Sequence, residues 1–219
     1  MLGRFGPAAA PVLPVVAASW SLPRRLRDAG GVALTFDDGP HPEGTPLVLE
    51  ALARESCRAT FFLVGEQVRC RPHLAREILA AGHAIALHGD RHRLQLRLGD
   101  REVADDLARG AAAIAEATGV SPALHRPPYG IYSAGGLRAA RAAGLQPLLW
   151  SRWGKDWRRL TTPRRIAARA TRDVSAGEVI LLHDADFYSA RDSHRRTAAA
   201  LPRIITELKR RGLDTVLAV

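Results

Sequence analysis

Lysine is almost missing from this chain: of 32 basic residues only Lys155 and Lys209 are lysines, the rest being arginine. Aromatic residues make up 5% of the 219, too few for the stacked platforms that hold single-stranded nucleic acid. The formal net charge of +10 would suit a polyanion. The arginines, however, are scattered along expected helices rather than gathered in one stripe, so nucleic acid is not expected as a partner. Net charge alone leaves an attraction to anionic cell-wall polymer as a stronger reading than nucleic acid, behind a simple compositional bias toward Ala and Arg. Only two cysteines occur, Cys57 and Cys70, and their spacing fits neither a metal knuckle nor a disulfide framework; they read as small core residues. No apolar run is long enough to span a bilayer. Residues 6–20 are small and apolar, follow Arg4 and end in Ala17-Ala18-Ser19, which has the outline of a secretory signal. Pro7, Pro11 and Pro14 interrupt that run, and the alternative is an ordinary leader packed on the domain. Residues 1–27 are therefore set apart as a leader or signal segment. The cell envelope or secretion is expected if residues 1–19 act as a signal, and the cytoplasm otherwise.

What is present is an alternation of short β-rich runs with helical stretches over residues 28–219, read as one domain. Strands are expected at 32–36, 59–64, 83–88, 123–126, 145–150, 178–183 and 214–218, and helices at 45–54, 73–81, 101–118, 134–143, 163–172 and 195–211. Parallel strands joined by crossover helices fit a barrel or a doubly wound sheet. In either, reactive groups gather at the carboxyl ends of strands. Asp37-Asp38, His88, Arg126 and His183 all fall at such ends, and Asp156 lies just beyond one.

Each cluster has its own chemistry. Asp37 and Asp38 are adjacent carboxylates, a costly pair unless a cation sits beside them; one would ligate a metal while the other stays free as a base. Read without that cation, Asp-Gly-Pro is an ordinary turn. His88 and His92 stand four apart, a spacing that would bring both onto one face of a helical turn and suits a shared divalent ion; Asp90 between them is a competing ligand. Arg126, in a stiff Arg-Pro-Pro-Tyr-Gly loop, would hold a carboxylate ionised. Trp153 and Trp157 flank Asp156, and aromatic faces suit sugar grooves. His183 ends a buried strand and by itself reads as well as a satisfied core histidine. A glycosidase would need two carboxyls and would leave the three histidines unexplained.

Taken in order over residues 31 to 218, these five motifs resemble the polysaccharide deacetylases of carbohydrate esterase family 4, also described as the NodB-homology domain. The resemblance implies a distorted (β/α)7-type barrel in a single domain and metal-dependent hydrolysis of N-acetyl groups on a glycan such as peptidoglycan or chitin. It implies Asp37 as base, with Arg126 orienting it. His183 would be the general acid, tuned by Asp156. Asp38, His88 and His92 would hold a divalent metal, zinc foremost, with cobalt or manganese as alternatives. Pro128, the Tyr129 N–H, Trp157 and Leu181 would face substrate and oxyanion. Two residues depart from the family's pattern. Gly89 stands where a Ser or Thr hydroxyl usually helps fix the metal loop, so restoring it as Gly89→Ser is expected to tighten metal binding. Trp153 replaces an Asp, which implies an altered groove lining. The same amidase chemistry on a small molecule, or a catalytically dead carbohydrate-binding module, are the other readings.

Overall fold

The computed structural model describes residues 2–27 and 29–218. Among them, seven strands form a parallel sheet: β1 (Ala33–Asp37), β2 (Thr60–Leu63), β3 (Ala84–Leu87), β4 (Leu124–His125), β5 (Gln146–Pro147), β6 (Arg152–Trp153) and β7 (Val179–His183). Their spatial order is β5-β4-β3-β2-β1-β7-β6. The helices are α1 (Leu2–Phe5), α2 (Pro14–Ser19), α3 (Gly44–Arg54), α4 (Gly65–Cys70), α5 (Pro72–Ala80), α6 (Asp100–Thr118), α7 (Ala134–Ala142), α8 (Pro163–Ala170) and α9 (Ser193–Arg210). Every residue of β1 and β2 is buried, as strands covered on both faces require.

The sheet is curled. β5 and β6 occupy its two opposite edges, yet only Leu148–Ser151 lie between them in sequence. Four residues reach at most roughly 14 Å, so the two edges must approach each other. Main-chain bonds show the seam directly: Leu148 N–H donates to His125 on one side, and Ser151 and Gly154 N–H donate to Val179 and Leu181 on the other. One extended segment thus zips both edges, giving the distorted barrel expected.

Helix packing follows the apolar stripes. In α6 the buried positions are Val103, Asp106, Leu107, Gly110, Ala113 and Ile114, a three-and-four spacing, and Gly119 ends the helix at φ 76°. An aspartate on that stripe is unusual. The leader is part of this packing: Ala10, Ala17 and Leu22 lie in the core, Arg4 donates to the Leu96 and Leu98 carbonyls, and Arg24 donates to the Trp150 carbonyl.

Some sequence expectations fail locally. Residues 214–218 form no strand; a lone bridge, Val32 with Thr215, is their one strand-like pairing among the described residues. They meet only the residue before β1 and then turn to side-chain bonds, with Thr60 Oγ accepting from the Ala218 N–H at 2.9 Å. β6 is instead supplied by Arg152 and Trp153, just past the strand expected at 145–150. Cys57 is half-buried against the core, but Cys70 is exposed at the end of α4 and is no core residue. Among the described residues no helix is long and apolar enough to cross a membrane.

Candidate active site

β1 delivers Asp37 at its last position, and the chain then turns sharply at Asp38, whose φ is 80°. Left-handed backbone at a non-glycine residue costs free energy and tends to mark functional positions. The turn splits the two carboxylates. Asp37 Oδ1 accepts from the Arg126 guanidinium at 2.6 Å, while Asp37 Oδ2 faces His88 Nε2 at 3.9 Å. Asp38 Oδ1 faces His88 Nε2 at 3.4 Å and His92 Nε2 at 3.3 Å, and has no hydrogen-bond partner although buried.

The tautomer of His88 makes this convergence informative. Its Nδ1 lies 2.8 Å from the Arg126 carbonyl, which can only accept, so the proton is on Nδ1 and the Nε2 of the neutral ring carries a lone pair. Lone pairs from an imidazole and a carboxylate pointed at each other in a buried site call for a cation. Two ligands bound at 2.0–2.1 Å to one tetrahedral centre stand about 3.3 Å apart, which matches the separations of 3.3 and 3.4 Å. Asp38, His88 and His92 thus fit a divalent ion, with their ligand atoms within 4.8 Å of one another.

The His88–His92 spacing works differently from the expectation. The segment is a loop, not a helical turn, and it bends through Gly89 at φ 88°. Asp90 is no ligand: Arg69 and Arg109 take its carboxylate at 2.7 and 3.3 Å. The loop is fixed by Asp106 from α6, whose Oδ2 accepts from the Asp90 N–H at 2.8 Å and whose Oδ1 accepts from Arg93 at 2.8 Å. A Cβ at Gly89 would stand 3.0 Å from Asp106 Oδ2 on left-handed backbone. The structure therefore reverses the Gly89→Ser expectation, since any L side chain there is strained and crowds the group that already anchors the loop.

Arg126 is fully buried, and each of its three guanidinium nitrogens makes a hydrogen bond. Beyond Asp37 it donates to Thr35 Oγ and to the Leu148 and Leu149 carbonyls, and its guanidinium lies 3.9 Å from the Phe62 ring centroid. A buried cation this constrained fixes the orientation of Asp37. On the neighbouring strand, His183 is the register partner of Asp37. Fully buried Asp156 accepts from the His183 main-chain N–H at 2.7 Å and from its Nδ1 at 3.0 Å, and Thr197 donates to the same carboxylate. Burial opposes charge on His183, yet Asp156, then Asp38 and Asp37, push it up to about 10. Without a metal ion, these carboxylates thus favour the charged ring, which has a proton to give.

A cavity of about 280 Å³ gathers Asp37, Asp38, His88, His92, Tyr129, Trp157, Leu181 and His183 from the expected set. Arg126 and Asp156 stand behind it as buried supports. Pro128 is buried and does not line it. Tyr129 lies on left-handed backbone at φ 62°, with its side chain 56% exposed at the rim. Trp153 lines the wall, as its replacement of an acid implied. Sequence reading missed Trp150, Tyr188 and Ser189 in the lining, and Asp106 behind it. The signal for Asp106 was an acid on an apolar helical stripe.

One further group among the described residues resembles a metal cluster: His41, Asp186 and His194. His41 Nδ1 accepts from the Gly44 and Glu43 N–H groups at 2.9 and 3.2 Å, so the single proton of the neutral ring is on Nε2, 3.2 Å from Asp186 Oδ1. A metal on Nε2 would require an imidazolate. Burial, then His194, holds His41 below its ordinary value, in keeping with the neutral ring. This cluster is a structural latch for the segment around Asp186.

The family model described as polysaccharide deacetylase matches residues 25–148. A peptidoglycan-N-acetylglucosamine deacetylase of Bacillus cereus is 33% identical over 91% of this chain and 90% of its own. A chitooligosaccharide deacetylase of Sinorhizobium fredii is 38% identical over 88% of this chain and 92% of its own. Among solved structures, a family 4 carbohydrate esterase from Streptomyces lividans in complex with acetate superposes with a TM-score of 0.78 at 33% identity, covering 87% of this chain and 94% of that one.

Proposed function

The chain belongs to the polysaccharide deacetylase family, and on that premise we propose that it hydrolyses N-acetyl groups of an N-acetylated polysaccharide, peptidoglycan or a chitin-like glycan, with zinc as its ion. The observation that carries this reading is the division of the Asp pair. Asp37 keeps one oxygen on Arg126 and turns toward the cavity, whereas Asp38 converges with two imidazole nitrogens. One carboxylate serves as base and the other as ligand.

When bound at Asp38, His88 and His92, a divalent ion supplies Lewis acidity, making a water more acidic and drawing electrons from the acetamide carbonyl. Asp37 takes the proton from the attacking water, held in place for this by Arg126. The water oxygen adds to the carbonyl carbon, and the Tyr129 N–H donates to the oxygen that gains charge; a donor of this kind is worth roughly 10²–10³ in kcat. His183 gives its proton to the sugar nitrogen as the C–N bond breaks, because an unprotonated amine is too poor a leaving group. Acetate and a free amino sugar result. Leu181 bounds the space for the acetyl methyl, and Trp153 and Trp157 flank the sugar. The core positions of Ala10, Ala17 and Leu22 support retention of the leader in the working enzyme rather than its removal as a signal.

Acetate release from peptidoglycan, chitooligosaccharides and a small aryl acetamide tests the substrate class. Turnover of a glycan is expected. Turnover of the aryl amide alone would make the chain a small-molecule amidase, and no turnover with metal bound would make it a binding module.

The Asp156–His183 pair sets the alkaline limit. His183 must be protonated to act, and Asp156 is the first of the groups that raise it. Asp156→Asn should therefore move the basic limb of the kcat profile to lower pH. A bound dication repels the imidazolium in parent and variant alike, so both are compared with the same metal. An unmoved limb would assign it to another group.

A further inference from the structure

Tyr188 belongs to none of the motifs that mark the site, yet its ring stacks on His92 with centroids 4.0 Å apart and planes 10° from parallel. Tyr129 meets the same imidazole edge-on, at 4.7 Å and 69°. The two histidines of the proposed metal site are held by different means. His88 is oriented through Nδ1 by the Arg126 carbonyl, but His92 Nδ1 is buried and has no partner among the described residues. A metal-binding imidazole is ordinarily aimed by a hydrogen bond at its other nitrogen. Building on the metal-site reading above, we infer that Tyr188 is a positioning residue for His92, its stacked ring standing in for the missing hydrogen bond.

Tyr188 is itself fixed at both ends, as a residue in this role must be. Its hydroxyl donates to Glu66 Oε1 at 2.9 Å and accepts from Gln67 Nε2 at 3.4 Å, both on α4. Two residues earlier, Asp186 accepts from the Asp192 N–H at 2.7 Å and lies 3.2 Å from His41 Nε2 and 3.3 Å from His194 Nδ1. The latch made by His41, Asp186 and His194 so acquires a purpose: it places an aromatic plane against a ligand. A parallel plane at stacking distance limits rotation of the imidazole about its own bond to the chain, which is the motion that would swing the Nε2 lone pair off the metal.

The test is metal affinity measured without substrate, by competition with a graded chelator, together with the visible spectrum of the cobalt-substituted protein. Tyr188 is 37% exposed, so removing its ring opens no core cavity. Tyr188→Ala should weaken metal binding about 10–100-fold and change the cobalt bands. Tyr188→Phe keeps the ring and loses only the hydroxyl, and should stay within about threefold of the parent with the parent's spectrum. His92→Ala is measured beside them. If His92→Ala left affinity unchanged, the ligand reading itself would fail. If His92→Ala weakened binding while Tyr188→Ala matched the parent in affinity and spectrum, the positioning role would be overturned. Equal losses in Tyr188→Phe and Tyr188→Ala would also overturn it, since the hydroxyl and not the stacked ring would then be the active part.

Discussion

Asp37→Asn is expected to lower kcat by roughly 10²–10⁴-fold while the protein keeps its full metal content. The amide retains an oxygen that can accept the Arg126 bond, but it has no basic lone pair with which to take a proton from water. Asp38, His88 and His92 are untouched by the change, so elemental analysis should read as for the parent. The variant should be less stable, because fully buried Arg126 loses its one carboxylate partner among the described residues; breaking a buried ion pair costs up to about 3–5 kcal/mol, and the retained hydrogen bond keeps the loss below that limit. His183→Ala supplies the contrast. It too should keep metal, but its deficit should shrink on an aryl ester or activated amide, whose leaving group departs without protonation. Asp37→Asn should show no such rescue. Loss of metal from Asp37→Asn would reverse the assignment within the Asp pair. Equal deficits of His183→Ala on both substrates would remove His183 from the role of acid.

Removing the metal should abolish turnover altogether, and zinc or cobalt should restore it. Beyond the chemistry, the apo site is electrostatically awkward: a buried carboxylate oxygen without a donor faces two imidazoles. A ligand present at 100 times its Kd stabilises the fold by about 2.7 kcal/mol, which for a domain of this size raises Tm by roughly 5–10 °C. Activity and melting should therefore recover over the same range of added ion. Full activity in metal-free protein would refute the mechanism. A metal-independent Tm beside metal-dependent activity would place the working ion elsewhere than Asp38, His88 and His92.

Much of this site is legible from sequence because of where a parallel sheet puts its loops. Asp37, His88, Arg126 and His183 stand at or just past strand ends, and one curled sheet brings all such ends to one mouth. Six helices are likewise visible from their stripes, to within two residues at either end. The remainder depends on contacts with no local signature. Tyr188 lies in a segment without regular structure, and only the latch to His41 and His194 brings it to His92. Residues 214–218 alternate like a strand but find an open neighbour for one bridge only. Arg152 and Trp153 lie outside the expected strands and form an edge strand because the closing seam places them beside β7. The His88–His92 spacing was right in outcome and wrong in geometry, since Gly89 and Asp106 achieve by a bent loop what a helical turn would also have done.

The pairing of Asp37 with His183 also bears on how the molecule assembles. These two residues are register partners on adjacent strands, yet 146 residues separate them (183 − 37), against 25 between Asp37 and its partner on the other side, Phe62 (62 − 37). Closing the longer loop costs about 1.5 kcal/mol more in chain entropy. β1, β2 and β3, which carry Asp37 and lead into Asp38 and His88, assemble through the shorter closures, whereas His183 arrives only when the far end of the chain joins the sheet. Loop-closure entropy thus favours the strand pairings that carry the means to hold an ion over the long-range pairing that brings the means to release an amine.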